Sequence, residues 1–253
     1  MSLSKLNLKQ LKNQIVCPIC GTPLLGVIET DAWGNRYCSR HSKEYFRCSC
    51  CQRLICDQLT NGGVAYKDNR LVCNFCRKSA IDTKEQAKPL VEQVAAWLLV
   101  KGINLENLRF NFDLVYLNQI SPVSQHGHGM PQGIIYQSPS VLSSGRKVRR
   151  IEILKGLSRQ VMSGVVAHEL GHAWLFMNRI DNLPSPIVEG FCNTLSYLYH
   201  DDFKTDEAEF CKMIIAKNPD EIYGNGFRLV YSSLKKNGLA KLLSHLKKYH
   251  ALP

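Results

Sequence analysis

Residues 161–176 read VMSGVVAHELGHAWLF, and this stretch decides the fold of the second half of the chain. Apolar residues occupy almost every side of it, which predicts a buried helix over about 158–178. On such a helix His168 and His172 lie one turn apart on the same face, where two imidazoles can bind one metal ion. Glu169 is rotated by one residue step, so it can hold a water molecule beside the ion without being a ligand. Burying these three side chains costs free energy unless a ligand binds them. The less favoured interpretation is that the two histidines are core residues whose hydrogen bonds are made within the protein.

A catalytic zinc ion needs a third protein ligand and an open fourth position. The metzincin class would supply that ligand from position 178, after a glycine at 175, but the chain has Leu175 and Asn178 and is excluded from that class. We predict instead a second helix that begins at Ser185–Pro186 and runs antiparallel to the first, so that Glu189 returns towards the histidines. Alternatively, Glu189 could be an acidic residue near the N-terminus of this helix that interacts with the helix dipole and binds no metal.

Other residues are further candidates for this site. Asn193 lies four residues after Glu189 and faces the same way, so it could hydrogen-bond to His168 or His172. Three aspartates are alternative third ligands, although solvent exposure is their favoured interpretation: Asp181, Asp201 and Asp202. The site also needs a donor for the oxyanion, and three residues are candidates that could equally be loop residues with ordinary hydrogen bonds: Tyr223, His126 and His128.

Nine of the eleven cysteines fall between Cys17 and Cys76, and an odd total without a secretion signal indicates metal thiolates rather than disulfides. Eight ligands form four pairs with two residues between the members, a spacing that lets a pair hold one tetrahedral ion. In chain order they give two complete sites: Cys17, Cys20, Cys38 and His41, then Cys48, Cys51, Cys73 and Cys76. Cys50 and Cys56 are left over. Because closed four-ligand sites are structural, we predict two structural Zn²⁺ ions here and one catalytic Zn²⁺ at HELGH.

The composition changes near residue 80, which predicts a double-zinc module over 1–80 and a second domain over 81–253. That domain starts with a capping box at Thr83 and Gln86, before an apolar helical stripe of five residues: Val91, Val94, Ala95, Leu98 and Leu99. Strands are predicted at 107–117, 133–137 and 148–154. Further helices are predicted at about 205–217 and 227–248, the latter with a break at Asn237–Gly238. Strands followed by helices indicate an α+β domain, which follows a small module stabilised by metal ions.

The 253 residues are 45% apolar and 21% charged, a composition that is typical of a globular protein. The formal net charge is +11. A basic surface tolerates nucleic acid, but the aromatic residues that could stack on bases lie near ligand cysteines, so we do not expect a nucleic-acid partner. No stretch approaches the roughly 18–20 apolar residues of a membrane helix, and lysines interrupt the start too often for a signal peptide. We therefore expect a soluble, cytoplasmic protein without membrane contact.

These motifs together resemble the DA-one family, whose plant members are LIM-containing peptidases that restrict organ growth. The resemblance rests on a LIM-like zinc module followed in order by HELGHAWL, a VEG helix and YGNGFR at 223–228, with HGHGMP at 126–131 and EILKGLSR at 152–159 in support. The module departs from the LIM pattern in having Cys-x2-His as its second pair and a longer gap between the sites. The match covers nearly the whole chain.

The resemblance implies a gluzincin-like zinc peptidase domain, a small sheet with active-site helices, in which His168, His172 and Glu189 are the ligands and Glu169 is the base. Plant members carry ubiquitin-interacting motifs ahead of the LIM region, where this chain has only about sixteen residues. We therefore expect a minimal relative of bacterial type, and ubiquitin-dependent activation is not implied.

Two functions are compatible with the sequence. The first is a zinc endopeptidase that hydrolyses peptide bonds in protein substrates, with the LIM-like module as a structural element or as a recruiter of substrates and protein partners. The second is a LIM-like adaptor that binds protein or nucleic acid, with a second domain that binds zinc but is catalytically inert.

Overall fold

The computed structural model describes residues 15–105, 108–120, 132–139 and 146–253. The chain divides into two compact units, Met1–Lys78 and Ser79–Pro253. Within the described ranges, no helix combines the length and the apolar character that crossing a membrane requires.

The first unit consists of elements that are only three or four residues long. In chain order they are β1 (Ile28–Thr30), β2 (Arg36–Cys38), α1 (His41–Glu44), α2 (Asp57–Thr60), β3 (Gly63–Ala65), β4 (Leu71–Cys73) and α3 (Asn74–Arg77). β1 pairs with β2 and β3 with β4, both antiparallel. Hairpins and single helical turns of this length are not stable alone, because they bury too little surface to offset the entropy of ordering the chain.

The apolar core of the first unit is correspondingly small. Tyr37 and Leu54 are fully buried in it, beside Leu59 and the sulfur atoms of Cys17 and Cys56. Cys56, which the spacing leaves over, is therefore a core residue here. A cluster of this size stabilises only part of the unit, as is typical of small domains that also bind metal ions.

The second unit begins with β5 (Ala80–Ile81) and α4 (Lys84–Val100). The capping box between Thr83 and Gln86 is present. The stripe predicted for this helix is partly right, because Val94 and Leu98 are buried, but Leu99 is 41% exposed. Ala87 and Leu90 complete the buried face. Both stripes have helical spacing and share two residues, so periodicity alone does not decide between them. The neighbouring elements of the unit decide which face is covered.

The remaining elements form one small sheet and five further helices in the described part of the chain. In order they are β6 (Asn111–Val115), a 3₁₀ turn (Leu117–Gln119), β7 (Gly133–Pro139), β8 (Arg146–Leu154), β9 (Leu157–Ser158), α5 (Arg159–Met177), α6 (Ser185–Asp201), α7 (Asp206–Ala216), α8 (Tyr223–Asn237) and α9 (Leu239–Tyr249). In the three-stranded sheet β8 is central, parallel to β6 and antiparallel to β7. β5 pairs antiparallel with β9. The unit thus mixes helices and sheet, as the α+β prediction expects.

One helix start differs from the prediction. α6 begins at Ser185 as predicted, and Pro186 follows inside its first turn, where a missing N–H costs nothing. α8 starts at Tyr223, four residues before the predicted start, and ends at Asn237. Gly238, whose positive φ of +78° favours glycine, separates α8 from α9.

Helices α6 and α8 cross with their backbones in contact. A Cβ atom at Gly190 would overlap the carbonyl oxygen of Gly226, and a Cβ atom at Gly226 would overlap the carbonyl oxygen of Pro186. Only glycine allows this approach. The crossing holds the first turn of α8, which includes Tyr223, close to the part of α6 that carries Glu189.

Candidate metal centres

Three donor atoms meet between α5 and α6. His168 Nε2 lies 3.1 Å from His172 Nε2, and Glu189 Oε2 lies 3.2 Å and 3.5 Å from these two nitrogens. A tetrahedral zinc ion with ligands at about 2.0–2.1 Å separates its ligand atoms by roughly 3.3–3.4 Å. The separations of the three atoms are therefore close to those between three corners of a tetrahedral zinc site.

The charge at this site also fits a cation. Glu189 Oε2 is buried and has no hydrogen-bond partner. Burial acts to raise the pKa of Glu189, but the interactions with His168 and His172 outweigh it and hold the pKa well below its usual value. The side chain is thus a carboxylate that directs a buried negative oxygen at two imidazole nitrogens, an arrangement that a bound cation would satisfy.

Hydrogen bonds fix which nitrogen of His168 is free to bind. Asn193 Nδ2 donates to the carbonyl oxygen of Tyr223 at 3.1 Å, and Asn193 Oδ1 lies 3.0 Å from His168 Nδ1. Because a carbonyl only accepts, the amide nitrogen must face Tyr223 and the amide oxygen must face His168. The proton of the neutral imidazole is therefore on Nδ1, and Nε2 presents its lone pair to the site.

Glu169 is a buried neighbour of the three donors. A Cβ atom at Gly133 would lie 2.7 Å from Glu169 Oε1, so strand β7 passes directly against this carboxyl group. Burial raises the pKa of Glu169, although the two histidines act in the opposite direction. A carboxyl group with a raised pKa beside a metal site can accept a proton from water and release it again near neutral pH.

Tyr223 begins α8 and is half-buried, with its backbone already tied to Asn193. Burial and the negative charges of Glu189 and Glu169 raise the pKa of Tyr223, so its hydroxyl stays protonated and can donate a hydrogen bond. The other two oxyanion candidates, His126 and His128, lie outside the described residues and remain predictions.

The three alternative aspartates are bound elsewhere. Asp181 pairs with Arg146, Asp201 lies 2.8 Å from Lys212 Nζ, and Asp202 lies 3.1 Å from Lys101 Nζ. Each is also about half exposed, so none faces the three donors that meet between the helices.

Sequence reasoning missed one residue of this centre. Cys192 is fully buried, and its Sγ lies within 4.8 Å of ligand nitrogens of His168 and His172. It follows Glu189 by three residues, and this spacing on a helix was the signal that it faces the same way.

The structure also brings together both predicted cysteine groups. The ligand atoms of Cys17, Cys20, Cys38 and His41 all lie within 4.8 Å of one another, as do those of Cys48, Cys51, Cys73 and Cys76. The sulfur atoms of Cys20 and Cys38 are 3.9 Å apart, and those of Cys51 and Cys73 are 3.6 Å apart. Zinc with sulfur ligands at about 2.3 Å would separate them by roughly 3.8 Å, so both groups fit a tetrahedral thiolate site.

The position of the ring proton of His41 can be assigned in the same way as that of His168. His41 Nδ1 lies 2.5 Å from Glu44 Oε2, and a carboxylate can only accept, so the ring proton is on Nδ1. Nε2 is buried with no hydrogen-bond partner. The lone pair of Nε2 is therefore placed where it could bind a metal ion together with the three cysteines.

Cys50 belongs to the second cysteine group as a fifth thiol. Hydrogen bonds from Cys50 and then Cys51 hold the pKa of Cys48 far below its ordinary value. Cys50 also hydrogen-bonds to Cys76. The two-residue spacing selects four ligands out of five thiols that share one buried cluster.

Comparison with known proteins identifies relatives of the chain. The model of the DA1-like family, described as Protein DA1, matches residues 114–209 and 199–249, which together are more than half of the chain. The chain is similar to three plant proteins: Protein DA1 of Arabidopsis thaliana (26% identical over 297 residues), Protein DA1-related 1 of the same plant (24% over 302 residues) and the LIM domain-containing protein HDR3 of Oryza sativa subsp. japonica (25% over 306 residues).

These alignments cover 91% of this chain but only 55%, 54% and 60% of the three relatives. The chain therefore spans little more than half the length of the curated relatives that it matches. No solved structure matches it.

Proposed function

The chain belongs to the DA1-like family, and on that premise we propose that it is a zinc-dependent endopeptidase that hydrolyses peptide bonds in protein substrates. One observation carries the proposal: three donor atoms lie at tetrahedral separations beside a buried glutamate that is not needed as a ligand. A site that only stabilised the fold would have four protein ligands and no such glutamate.

In this proposal His168, His172 and Glu189 hold the zinc ion, as in the gluzincin class. When bound, zinc supplies a Lewis acid that polarises a carbonyl group and lowers the pKa of water. Asn193 keeps the proton of His168 on Nδ1, so the imidazole approaches the ion with its lone pair. The carboxylate of Glu189 is the third protein ligand and neutralises part of the positive charge of the ion.

Glu169 is the proposed general base and then the general acid. Its carboxylate takes a proton from the attacking water and later gives it to the amine of the departing product. Burial supports this role, because it raises the pKa of Glu169 and so makes the return of the proton easier than it would be from an exposed glutamate.

A polypeptide substrate fits the surroundings of Glu169. Within the described part of the chain, β7 is an edge strand of the three-stranded sheet and contacts Glu169 at Gly133. An extended peptide that adds to such an edge gains main-chain hydrogen bonds without regard to sequence. The protonated hydroxyl of Tyr223 is the proposed donor to the oxyanion that forms on the scissile carbonyl.

The LIM-like module has a different proposed role. Its two sites are closed by four protein ligands each, so zinc there would fold the module and perform no chemistry. The three most exposed of the large apolar side chains in the described part of the module could contact a protein partner or substrate: Leu25, Val27 and Phe46. The free state of all eleven cysteines fits a reducing compartment, which we propose is the cytoplasm.

The experiment is to incubate the zinc-loaded full chain with unfolded protein substrates, with and without a chelator. We expect cleavage that the chelator abolishes. The matched control is Glu169→Gln, which keeps the size of the side chain and should keep the zinc while activity falls by at least about 10²–10⁴-fold. Equal cleavage by this variant would indicate a contaminating protease. No cleavage by either protein would favour the inert adaptor.

A further inference from the structure

The candidate catalytic centre has an unused sulfur atom beside its ligands. We propose that Cys192 is an additional ligand of this centre that engages thiophilic cations such as Cd²⁺, so that the centre is open with zinc and closed with softer, larger ions. The proposal rests on the proposed metal site at His168, His172 and Glu189 and adds to it a residue that determines which ion leaves the site open.

The position of Cys192 results from close packing of α6 against α5. A Cβ atom at Gly171 would lie 3.1 Å from Cys192 Sγ and 3.3 Å from Cys192 Cα. Gly171 is next to His172 in the chain, so the sulfur contacts the same helical turn that carries the two imidazoles. Cys192 is 0% exposed, so its sulfur faces the interior of the unit and not solvent.

Zinc does not need this sulfur to complete a set of three protein ligands. Glu189 Oε2 lies 3.2 Å and 3.5 Å from the two histidine nitrogens, close to the separations of a tetrahedral zinc site. Zinc can therefore be held by the two imidazoles and the carboxylate, while the nearby Cys192 Sγ, within 4.8 Å of the histidine nitrogens, stays unbound.

A softer ion changes this balance. It prefers thiolate to carboxylate or water, and Cys192 Sγ is a thiol that lies beside the two imidazoles. On binding, the S–H proton of Cys192 is released to solvent and an S–Cd bond forms, with no transfer of electrons. Four protein ligands then surround the ion, and no position is left for water.

The alternative is that Cys192 is only a small apolar residue in the core. The two possibilities differ in the environment of a bound cadmium ion, which ¹¹³Cd NMR reports directly. The full chain is used, with zinc retained in the cysteine sites and the more labile ion of the third site exchanged for ¹¹³Cd. Any ¹¹³Cd that enters the cysteine sites gives separate resonances, because those sites have three or four sulfur ligands.

We expect the third-site resonance of the unmodified protein at a shift typical of one sulfur ligand. In Cys192→Ser it should move upfield into the range of nitrogen and oxygen ligands alone, and the ratio of Cd²⁺ to Zn²⁺ affinity should fall at least about tenfold. The matched control is Cys211→Ser, a buried cysteine on α7 outside this group, which should change neither quantity.

A third-site resonance of the unmodified protein without sulfur character overturns the proposal, and this measurement needs no variant that might fold poorly. An unchanged affinity ratio in folded Cys192→Ser overturns it as well. If the chain cleaves substrates with zinc but shows either result, only this inference fails. If the third site binds no metal at all, the proposed function fails with it.

Discussion

The cysteine module and the HELGH helices are two metal-binding regions built in opposite ways. In the module the ligands belong to elements of three or four residues around a small apolar cluster. Around HELGH the ligands belong to helices of 19 and 17 residues that are packed on several sides. We expect metal ions to organise the chain in the first region, whereas in the second the packing of the helices positions the ligands.

The two regions also differ in the number of donors that they bring together. The module has two groups of four candidate ligands each. The helices offer three donors at close range and keep a buried glutamate and a sulfur atom nearby. A closed site resists exchange, and an open site allows chemistry and exchange. Three of the following predictions test this contrast, and a fourth concerns the core of the helical unit.

The largest effect is expected from Cys73→Ser, which removes a fully buried ligand from the second cysteine group. Structural zinc contributes on the order of 10 kcal/mol in small zinc domains, so the module should lose one ion and its folded structure. The helical unit should still unfold in its own cooperative transition. Calorimetry and metal analysis measure both outcomes, with Cys56→Ser as the control that changes a core cysteine outside the ligand group. If Cys73→Ser unfolded the helical unit to the same extent, the two regions would not be independent.

Glu189→Ala should produce the opposite pattern. The third ion should bind more than about 100-fold more weakly, because a direct ligand should matter more than its hydrogen-bond partners do. Two zinc ions should stay in the module and the helices should stay folded. The thermal midpoint should then depend on the zinc concentration. Titration with zinc in competition with a chelator gives the affinity. The control is Glu207→Ala, which removes an exposed glutamate from α7. An unchanged affinity would remove Glu189 from the ligand set.

A third effect concerns the core of the helices, independent of metal. His200 is buried on α6 and lies 2.7 Å from Gln160 Nε2. Burial, aided by the positive charge of Lys212, lowers the pKa of His200 to about 4. Between about pH 6.5 and this value the unfolded chain binds a proton that the folded chain does not, so the free energy of unfolding decreases as the pH falls through that window.

The full loss across the window should be about 3 kcal/mol. Denaturant unfolding of the unmodified protein and of His200→Gln, compared from pH 7 to pH 4, measures it. The variant should lack this part of the pH dependence, while acid release of metal should affect both proteins alike. Parallel curves for the two proteins would show that His200 does not contribute.

The smallest effect is expected from Asn193→Ala, which removes the partner of His168 Nδ1. Loss of such a partner typically weakens metal binding by about 10–100-fold, because the imidazole is no longer held in one tautomer and orientation. Asn193→Asp should restore much of the affinity, since a carboxylate also accepts from Nδ1. The same competition titration measures both variants. If Asn193→Asp bound zinc as weakly as Asn193→Ala, the role of the hydrogen bond would be refuted.

How far the sequence predicts these features depends on whether they lie within one element. The spacing of His168 and His172 and the two-residue gaps between cysteines are local, because a few dihedral angles determine them. The capping box at Thr83 is local in the same sense. Such features need no knowledge of which element packs against which.

Features that depend on two elements were harder to predict. The buried face of α4, the contact of β7 with Glu169 and the position of Cys192 each depend on how closely neighbouring elements approach. That distance is determined by the side chains at the crossing, and no periodicity in a single segment encodes it. Glu189 could be predicted only because a short connection makes two helices antiparallel.

The contact between Gly190 and Gly226 makes the geometry of the metal site sensitive to a residue that binds nothing. A single methyl group at position 190 would separate α6 from α8 and carry the carbonyl oxygen of Tyr223 away from Asn193. The amide of Asn193 would then be free to turn over, and His168 could place its proton on the nitrogen that the ion requires. A search for inactivating substitutions in this protein should therefore find glycines among its most intolerant positions.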